Sequence, residues 1–459
     1  MKKLKMILAV LILFAASVQM GAQTPKYVFY MIGDGMGINH VYAAQTYNKT
    51  MGQPDINFWN FPVRSYVTSY SANSLVTDSS AAGTALASGV KINNNALGID
   101  PEGNKPVTIA EYAKAKGVGA GVVTTAGVNH ATPAAFYAHT PSRNQYNEIA
   151  DQLIASKIDF AGGSTILSSK GATPQDHVDK ARQAGINVFC GRDEYKSVKG
   201  ERVIYLSDNI QRGDLPSAID QKEGDMKLAD FTSAAIDYLY GNFRGKGFFL
   251  MVEGGSVDHG GHSNDAATTI HEVIDFAESV ELALAFYRQH PNETLIVVTS
   301  DHETGGFTMG SGLYAMKPEV LASQKLSKEA LAAKIADLRR SKNDNVSWND
   351  IKELFKAELG FWDTIPVSKR QEMTFTEVYK TTILDNSAVM DENLYSKNDM
   401  LTKAAIDFVN RSAMVTYSFG SHSGAPVPVF AIGAKAENFK DCRDNTDLPK
   451  TILKITRWK

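Results

Sequence analysis

Val76-Thr77-Asp78-Ser79-Ser80-Ala81-Ala82-Gly83-Thr84 is the most specific local pattern in the chain. Small residues after Ser79 allow tight packing, or a helix that starts beside the serine. The N-terminus of such a helix points backbone N–H groups at an anion. The same residues also read as an ordinary capped helix start, with Asp78 or Ser79 as N-cap. The stretch alone leaves both readings open.

On either side of it, short apolar runs end in Gly, Asp or Glu. Tyr27–Ile32 runs into Gly33-Asp34-Gly35, and Phe248–Val252 into Glu253-Gly254-Gly255. Leu295–Thr299 runs into Ser300-Asp301-His302. Val118–Thr124 follows a helical stretch at Thr108–Lys116, and Val427–Ile432 comes near the end. Runs apolar at every position suit strands buried on both faces of a parallel sheet. Helical patterns such as Ala266–Tyr287 lie between them, which predicts an α/β fold with helices on both faces. Ligands bind beyond the carboxyl ends of such strands. Asp34, Glu253, Asp301 and His302 all fall at those ends, so one cleft is expected to hold them.

Four other segments carry candidate chemistry. In Glu253-Gly254-Gly255-Ser256-Val257-Asp258-His259-Gly260-Gly261-His262, Asp258 and His262 stand four apart, on one face of a helical turn. Oxygen plus imidazole suits zinc. A solvated His-rich loop is the plain alternative. Asp301 and His302 are adjacent, so on an extended strand they would point opposite ways. They can share a metal only if the chain turns, which Gly305-Gly306 makes feasible. His422 lies in Gly420-Ser421-His422-Ser423-Gly424, an exposed and flexible setting. Thr132, in Asn129-His130-Ala131-Thr132-Pro133, suits magnesium better than zinc. Arg143 can grip a phosphoryl group with two parallel hydrogen bonds, which Lys cannot.

The 459 residues are 43% hydrophobic, enough for a large core. Lys plus Arg number 47 against 50 Asp plus Glu, which argues against a nucleic-acid partner. Lys2, Lys3 and Lys5, the apolar run Met6–Val18 and the small residues Gly21-Ala22 form a secretory signal peptide pattern over residues 1–22. A retained anchor is the alternative, but the run is short for one and no other stretch could span a bilayer. Export to a periplasm or to the medium is expected, with no integral membrane segment. Cys190 and Cys442 are the two cysteines. An oxidising compartment permits a bridge, but sequence does not show that they meet. Residues 310–415 read as a charged helical insertion, with Pro318–Lys342, Trp348–Glu358 and Lys397–Ser412 helical. It separates a first part of the α/β domain, 23–309, from a second, 416–459.

Taken together and in this order, these segments resemble the alkaline phosphatase family. Its pattern Val-x-Asp-Ser-small-small-small-Gly-Thr is met at every position from Val76 to Thr84. Similarity continues through Thr84–Lys91 to Asn95–Gly98, covers most of residues 25–310, and returns around His422. Residues 310–415 match only in place, where family members carry a variable insertion called the crown. The resemblance implies a central, mostly parallel sheet sandwiched by helices, and hydrolysis of phosphate monoesters through a phosphoserine on Ser79. It implies two zinc ions: one on Asp258, His262 and His422, the other on Asp34, Asp301 and His302. It implies one magnesium on Asp34, Thr132 and Glu253, and Arg143 on the phosphoryl oxygens. His130 and His259 stand at positions that vary in the family. His130 is expected near the magnesium site, where it could let zinc replace magnesium. His259 is expected near the phosphate. Small phosphate monoesters are the expected substrates. Family members are usually homodimers, and the insertion could build or block that interface. A sulfatase reading fails on Ser80-Ala81-Ala82-Gly83, which lacks the Pro and Arg that chemistry requires.

Overall fold

The computed structural model describes residues 24–312, 314–385 and 387–459. The signal peptide expected at residues 1–22 lies outside them. Nine strands build the main sheet: β1 (Tyr27–Gly33), β2 (Val63–Val67), β3 (Gly119–Thr124), β4 (Phe160–Gly163), β5 (Asn187–Cys190), β6 (Val203–Leu206), β7 (Phe248–Gly254), β8 (Thr294–Thr299) and β9 (Val427–Gly433). Their order across the sheet is β2-β9-β8-β1-β7-β3-β4-β6-β5.

The strands at the centre are apolar on both faces because both faces are covered. Along β1, Tyr27, Phe29 and Met31 join the core on one face, and Val28, Tyr30 and Ile32 the core on the other. On β7, Phe248, Leu250 and Val252 alternate in the same way with Phe249 and Met251. Helices Leu228–Phe243 and Ala266–Gln289 cover the first face. Helices Ser79–Ser88, Ile109–Ala115 and Asp447–Thr456 cover the second.

The expectation of a mostly parallel sheet holds, with one difference. β9, expected among the parallel strands, runs antiparallel to both of its neighbours, β8 and β2. Its apolar run carries no mark of direction, since a buried strand reads alike either way.

Register sets the site. Gly33 lies opposite Gly254, Ile32 opposite both Glu253 and Thr299, and Thr124 opposite Glu253. The carboxyl ends of β1, β3, β7 and β8 therefore form one level edge. Because β9 is reversed, its first residues lie at that same edge, with Val429 opposite Thr299. His422, just before β9, is delivered there too.

The described residues of 310–415 add no strand to the main sheet. Their helices are more broken than the sequence suggests. The stretch expected as one helix from Pro318 to Lys342 is two, Pro318–Leu321 and Lys328–Ser341, because the Ser327 side chain caps the second. The last helix starts at Met400 rather than Lys397, capped by Asp399. Helix Lys369–Tyr379 lies between. Leu331, Ile351, Phe355, Phe375 and Phe408 pack into the first-face core, so the insertion shares its core with the sheet. Cys190 and Cys442 are free thiols. No helix among the described residues is long and apolar enough to cross a membrane.

Candidate active site

Ser79 is the first residue of helix Ser79–Ser88, and Asp78 caps that helix by accepting a hydrogen bond from Ala81 N at 2.9 Å. The two sequence readings of this stretch thus coexist. The cap fixes the helix start, and the start holds Ser79 among the helix's free N–H groups. Gly83 lets this helix press onto Ala131–Ala134: a Cβ there would meet Thr132 Cα at 3.3 Å. That contact carries Thr132 to the sheet edge, where its hydroxyl donates to Asp34 Oδ2 at 3.3 Å.

His302 lies at the middle of the cluster. Its Nε2 is 3.2 Å from Ser79 Oγ and 3.3 Å from both Asp34 Oδ1 and Asp301 Oδ2. The chain does turn after β8, with Gly305 and Gly306 at φ of 94° and 60°, and Asp301 and His302 converge as that turn requires. Asp301 Oδ1 accepts from the backbone N–H of Gly35 and of His302. Gly35 has φ of 68°, and a Cβ on it would come 2.8 Å from Asp258 Oδ1. Only glycine allows β1 to end this close to the Ser256–His262 helix.

That helix places Asp258 and His262 on one face. His262 Nε2 is 3.3 Å from Asp258 Oδ2 and 3.1 Å from His422 Nε2. The ligand atoms of Asp258, His302 and His422 lie within 4.8 Å of one another, and so do those of Asp34, Asp301 and His302. The rings of His302 and His422 stack at 3.5 Å.

Proton bookkeeping tests whether these residues fit metal ions. His262 Nδ1 lies 2.7 Å from Gly420 O, and His422 Nδ1 lies 2.9 Å from Thr77 O. A carbonyl only accepts, so each Nδ1 carries the hydrogen. Thr304 Oγ1 donates to Asp258 Oδ1, so it accepts from His302 Nδ1 at 3.2 Å. All three imidazoles then turn Nε2 inward, toward one another and toward carboxylates. Such an arrangement calls for a cation. The acids agree. Burial raises Asp34 well above the ordinary carboxylate range, with Asp301, Asp258 and Glu253 adding to it. Burial, then Asp258, pushes Asp301 up to about 8. Asp34 Oδ1, Asp301 Oδ2 and Glu253 Oε1 are buried without a hydrogen-bond partner. Glu253 Oε2 accepts from Thr124 Oγ1, and Glu253 lies beside Thr132 and Asp34. The donor set fits divalent cations.

Arg143 reaches the cluster from the far side. Its Nη1 donates to Asp78 Oδ2 and its Nη2 to His130 Nε2, both at 3.4 Å. Guanidinium only donates, so His130 accepts. Burial, then Arg143, lowers its pKa to about 3, which keeps it neutral. His130 is thus a prop for Arg143 as well as a neighbour of Thr132. His259 is less enclosed: its Nδ1 is 3.9 Å from Asp214 Oδ2 and its ring packs on Tyr395 at 3.9 Å.

All twelve residues singled out in the sequence therefore gather at this edge: Asp34, Ser79, His130, Thr132, Arg143, Glu253, Asp258, His259, His262, Asp301, His302 and His422. Sequence reasoning passed over the residues that hold them. Thr304 fixes the His302 tautomer and Asp78 steadies Arg143. Thr304 lies between His302 and the Gly305-Gly306 turn and could have been found there; Tyr395, whose hydroxyl donates to Asp258 Oδ2 at 3.0 Å, gives no signal in sequence.

Comparison with known proteins points to one family. The family model described as alkaline phosphatase matches residues 25–458. Alkaline phosphatase 4 of Bacillus subtilis is 32% identical over 94% of this chain and 89% of its own. The tissue-nonspecific alkaline phosphatase of mouse is 29% identical over 67% of this chain and 69% of its own. Among solved structures, a cold-active alkaline phosphatase from Shewanella superposes with a TM-score of 0.77 at 28% identity, covering 94% of this chain and 99% of that one. The Thermus thermophilus enzyme gives 0.78 at 25% identity, covering 95% and 92%.

Proposed function

Since the chain belongs to the alkaline phosphatase family, and so is a phosphomonoester hydrolase, we propose that it acts through a phosphoserine on Ser79 in a site built for two zinc ions and one magnesium. The observation that carries this reading is Ser79 Oγ at a helix N-terminus, 3.2 Å from an imidazole shared by both candidate ligand groups. Asp258, His262 and His422 would hold one zinc, and Asp34, Asp301 and His302 the other. Thr132, Glu253 and Asp34 would hold magnesium, or zinc in its place. Bound there, the cations supply positive charge next to the attacking and departing oxygens.

The chain's own residues do the rest. Ser79 Oγ attacks phosphorus, the O–P bond forms, and the ester P–O bond breaks in line with it. The alcohol leaves with a proton. Arg143 turns from Asp78 onto two non-bridging oxygens, where its fork gives direction as well as charge. The N–H groups at the start of helix Ser79–Ser88 face the charge that spreads over those oxygens. Water then attacks the phosphoserine, the Ser79–phosphate bond breaks, the serine hydroxyl is restored and phosphate departs.

Purified residues 23–459, loaded with zinc and magnesium, are expected to cleave 4-nitrophenyl phosphate well and bis(4-nitrophenyl) phosphate poorly. Preference for the diester would overturn monoesterase action. Elemental analysis is expected to find zinc near two per chain on the reading above. Arg143→Ala is expected to weaken inhibition by inorganic phosphate roughly ten- to a hundredfold, the worth of a charge-assisted pair of hydrogen bonds. An unchanged inhibition constant removes Arg143 from that role. Export follows from the leader pattern: secreted material is expected to start near residue 23, which N-terminal sequencing reads directly.

A further inference from the structure

One side chain of the insertion reaches the cluster. Asp391–Glu392 pairs antiparallel with Lys397–Asn398, and Tyr395 sits in the loop between them. Asn393 Oδ1 accepts from the backbone N–H of Tyr395 and of Ser396, both at 2.8 Å, which stiffens the loop. The hairpin is tied down beside His262. Glu329 Oε1 accepts from Ser263 Oγ at 2.5 Å, Ser396 Oγ at 2.9 Å and Asn398 Nδ2 at 3.3 Å. Lys328 Nζ bonds both Ser263 O and Asp391 Oδ2. Ser263 directly follows His262, so hairpin and ligand helix share one anchor.

From that anchor Tyr395 makes two kinds of contact. Its hydroxyl donates to the fully buried Asp258 at 3.0 Å, on the oxygen that also faces His262. Its ring lies 3.9 Å from the His259 ring and 5.2 Å from the His262 ring. The residue as a whole is only half-buried. The hydroxyl is turned in against Asp258 and the ring packs along His259.

Resting on the proposed role of Asp258 and His262 as ligands to one zinc, we infer that Tyr395 is a positioning and specificity residue: its hydroxyl sets Asp258 and its ring walls the space where the ester's alcohol group leaves. The hydroxyl gives Asp258 Oδ2 a fixed partner, which holds the carboxylate rotamer as outer partners of metal ligands do. The ring offers a flat apolar face to an aryl alcohol and nothing to a small polar one. Substrate preference would then be written partly in the insertion rather than in the sheet.

Two variants separate the hydroxyl from the ring. Tyr395→Phe keeps the wall and is expected to release zinc to a chromogenic chelator about tenfold faster, since loss of such an outer partner weakens metal binding by roughly 10–100-fold. It is expected to keep the parent's ratio of kcat/KM for 4-nitrophenyl phosphate over glycerol phosphate. Tyr395→Ala is expected to lower that ratio about three- to tenfold, mainly through KM for the aryl ester, the scale of one aromatic contact. Unchanged zinc release in Tyr395→Phe, or an equal loss on both esters in Tyr395→Ala, overturns the proposal. If the unaltered, zinc-loaded protein cleaves neither ester, the reading of the site has failed; zinc release still decides the part played by Tyr395.

Discussion

Ser79→Ala is expected to lower hydrolysis of 4-nitrophenyl phosphate by roughly a thousandfold or more, because it removes the hydroxyl oxygen on which the proposed covalent intermediate forms. Ser79 is fully buried at the first position of its helix, and alanine suits that position. The Asp78 cap does not involve the Ser79 side chain, so the helix start survives the change. The Asp and His residues of both candidate ligand groups are untouched by the change, and zinc content is expected to stay at the level of the unaltered protein. Acid quenching during turnover of a phosphorus-labelled ester is expected to trap label on the unaltered chain and none on the variant. Near-normal turnover by the variant would take Ser79 out of the mechanism.

Metal removal is the second large effect. Stripping bound divalent metal with a chelator is expected to abolish activity and lower the thermal midpoint, with a loss that grows as pH rises. Asp301 has a folded-state pKa near 8 against an ordinary 3.8, from burial and the nearby Asp258. A raised carboxyl means the unfolded chain gives up its proton first as pH climbs. Without metal, stability therefore falls across the window from the ordinary value to about 8, and Asp34 shifts the same way. His302 works in the opposite direction: burial lowers its pKa, so its cost appears only below about 6.5, where unfolded imidazoles take up protons. Calorimetry of metal-free and zinc-loaded protein at about pH 6.5 and pH 8.5 reads this window, in which His262, raised by Asp258 against the effect of its burial, loses stability in the same direction as the acids. The gap between the two forms is expected to widen at the higher pH; a constant or narrowing gap would mean the buried carboxylates are not what the metals neutralise.

How much of this could be read from sequence depended on length and on repetition. β1, β7 and β8 were legible because six or seven residues in a row are buried on both faces. β4, β5 and β6 have only four residues each, and β4 is half glycine, too little for any period to show. β2 carries Arg64 and Tyr66 outward, as an edge strand does, and so offers no continuous apolar run. The site was legible wherever several polar groups crowd a strand end or a glycine-rich turn, as at Asp258-His259-Gly260-Gly261-His262. Tyr395 was not, for nothing near it in the chain hints at Asp258. Contacts made across an insertion leave no local trace.

The reversed strand has a consequence for the order in which this protein comes into being. β9 lies between β2 and β8, so β2 has no neighbour in the sheet until the last strand of the chain arrives. His422 travels with that strand and pairs beside Glu303–Thr304. A ribosome must therefore pass Gly433 before the sheet can close, and His422 before the cluster can. Shortened translation products would hold Ser79, Asp258 and His302 yet lack His422, which completes the cluster. Appearance of activity during synthesis would then serve as a clock for completion of the fold itself.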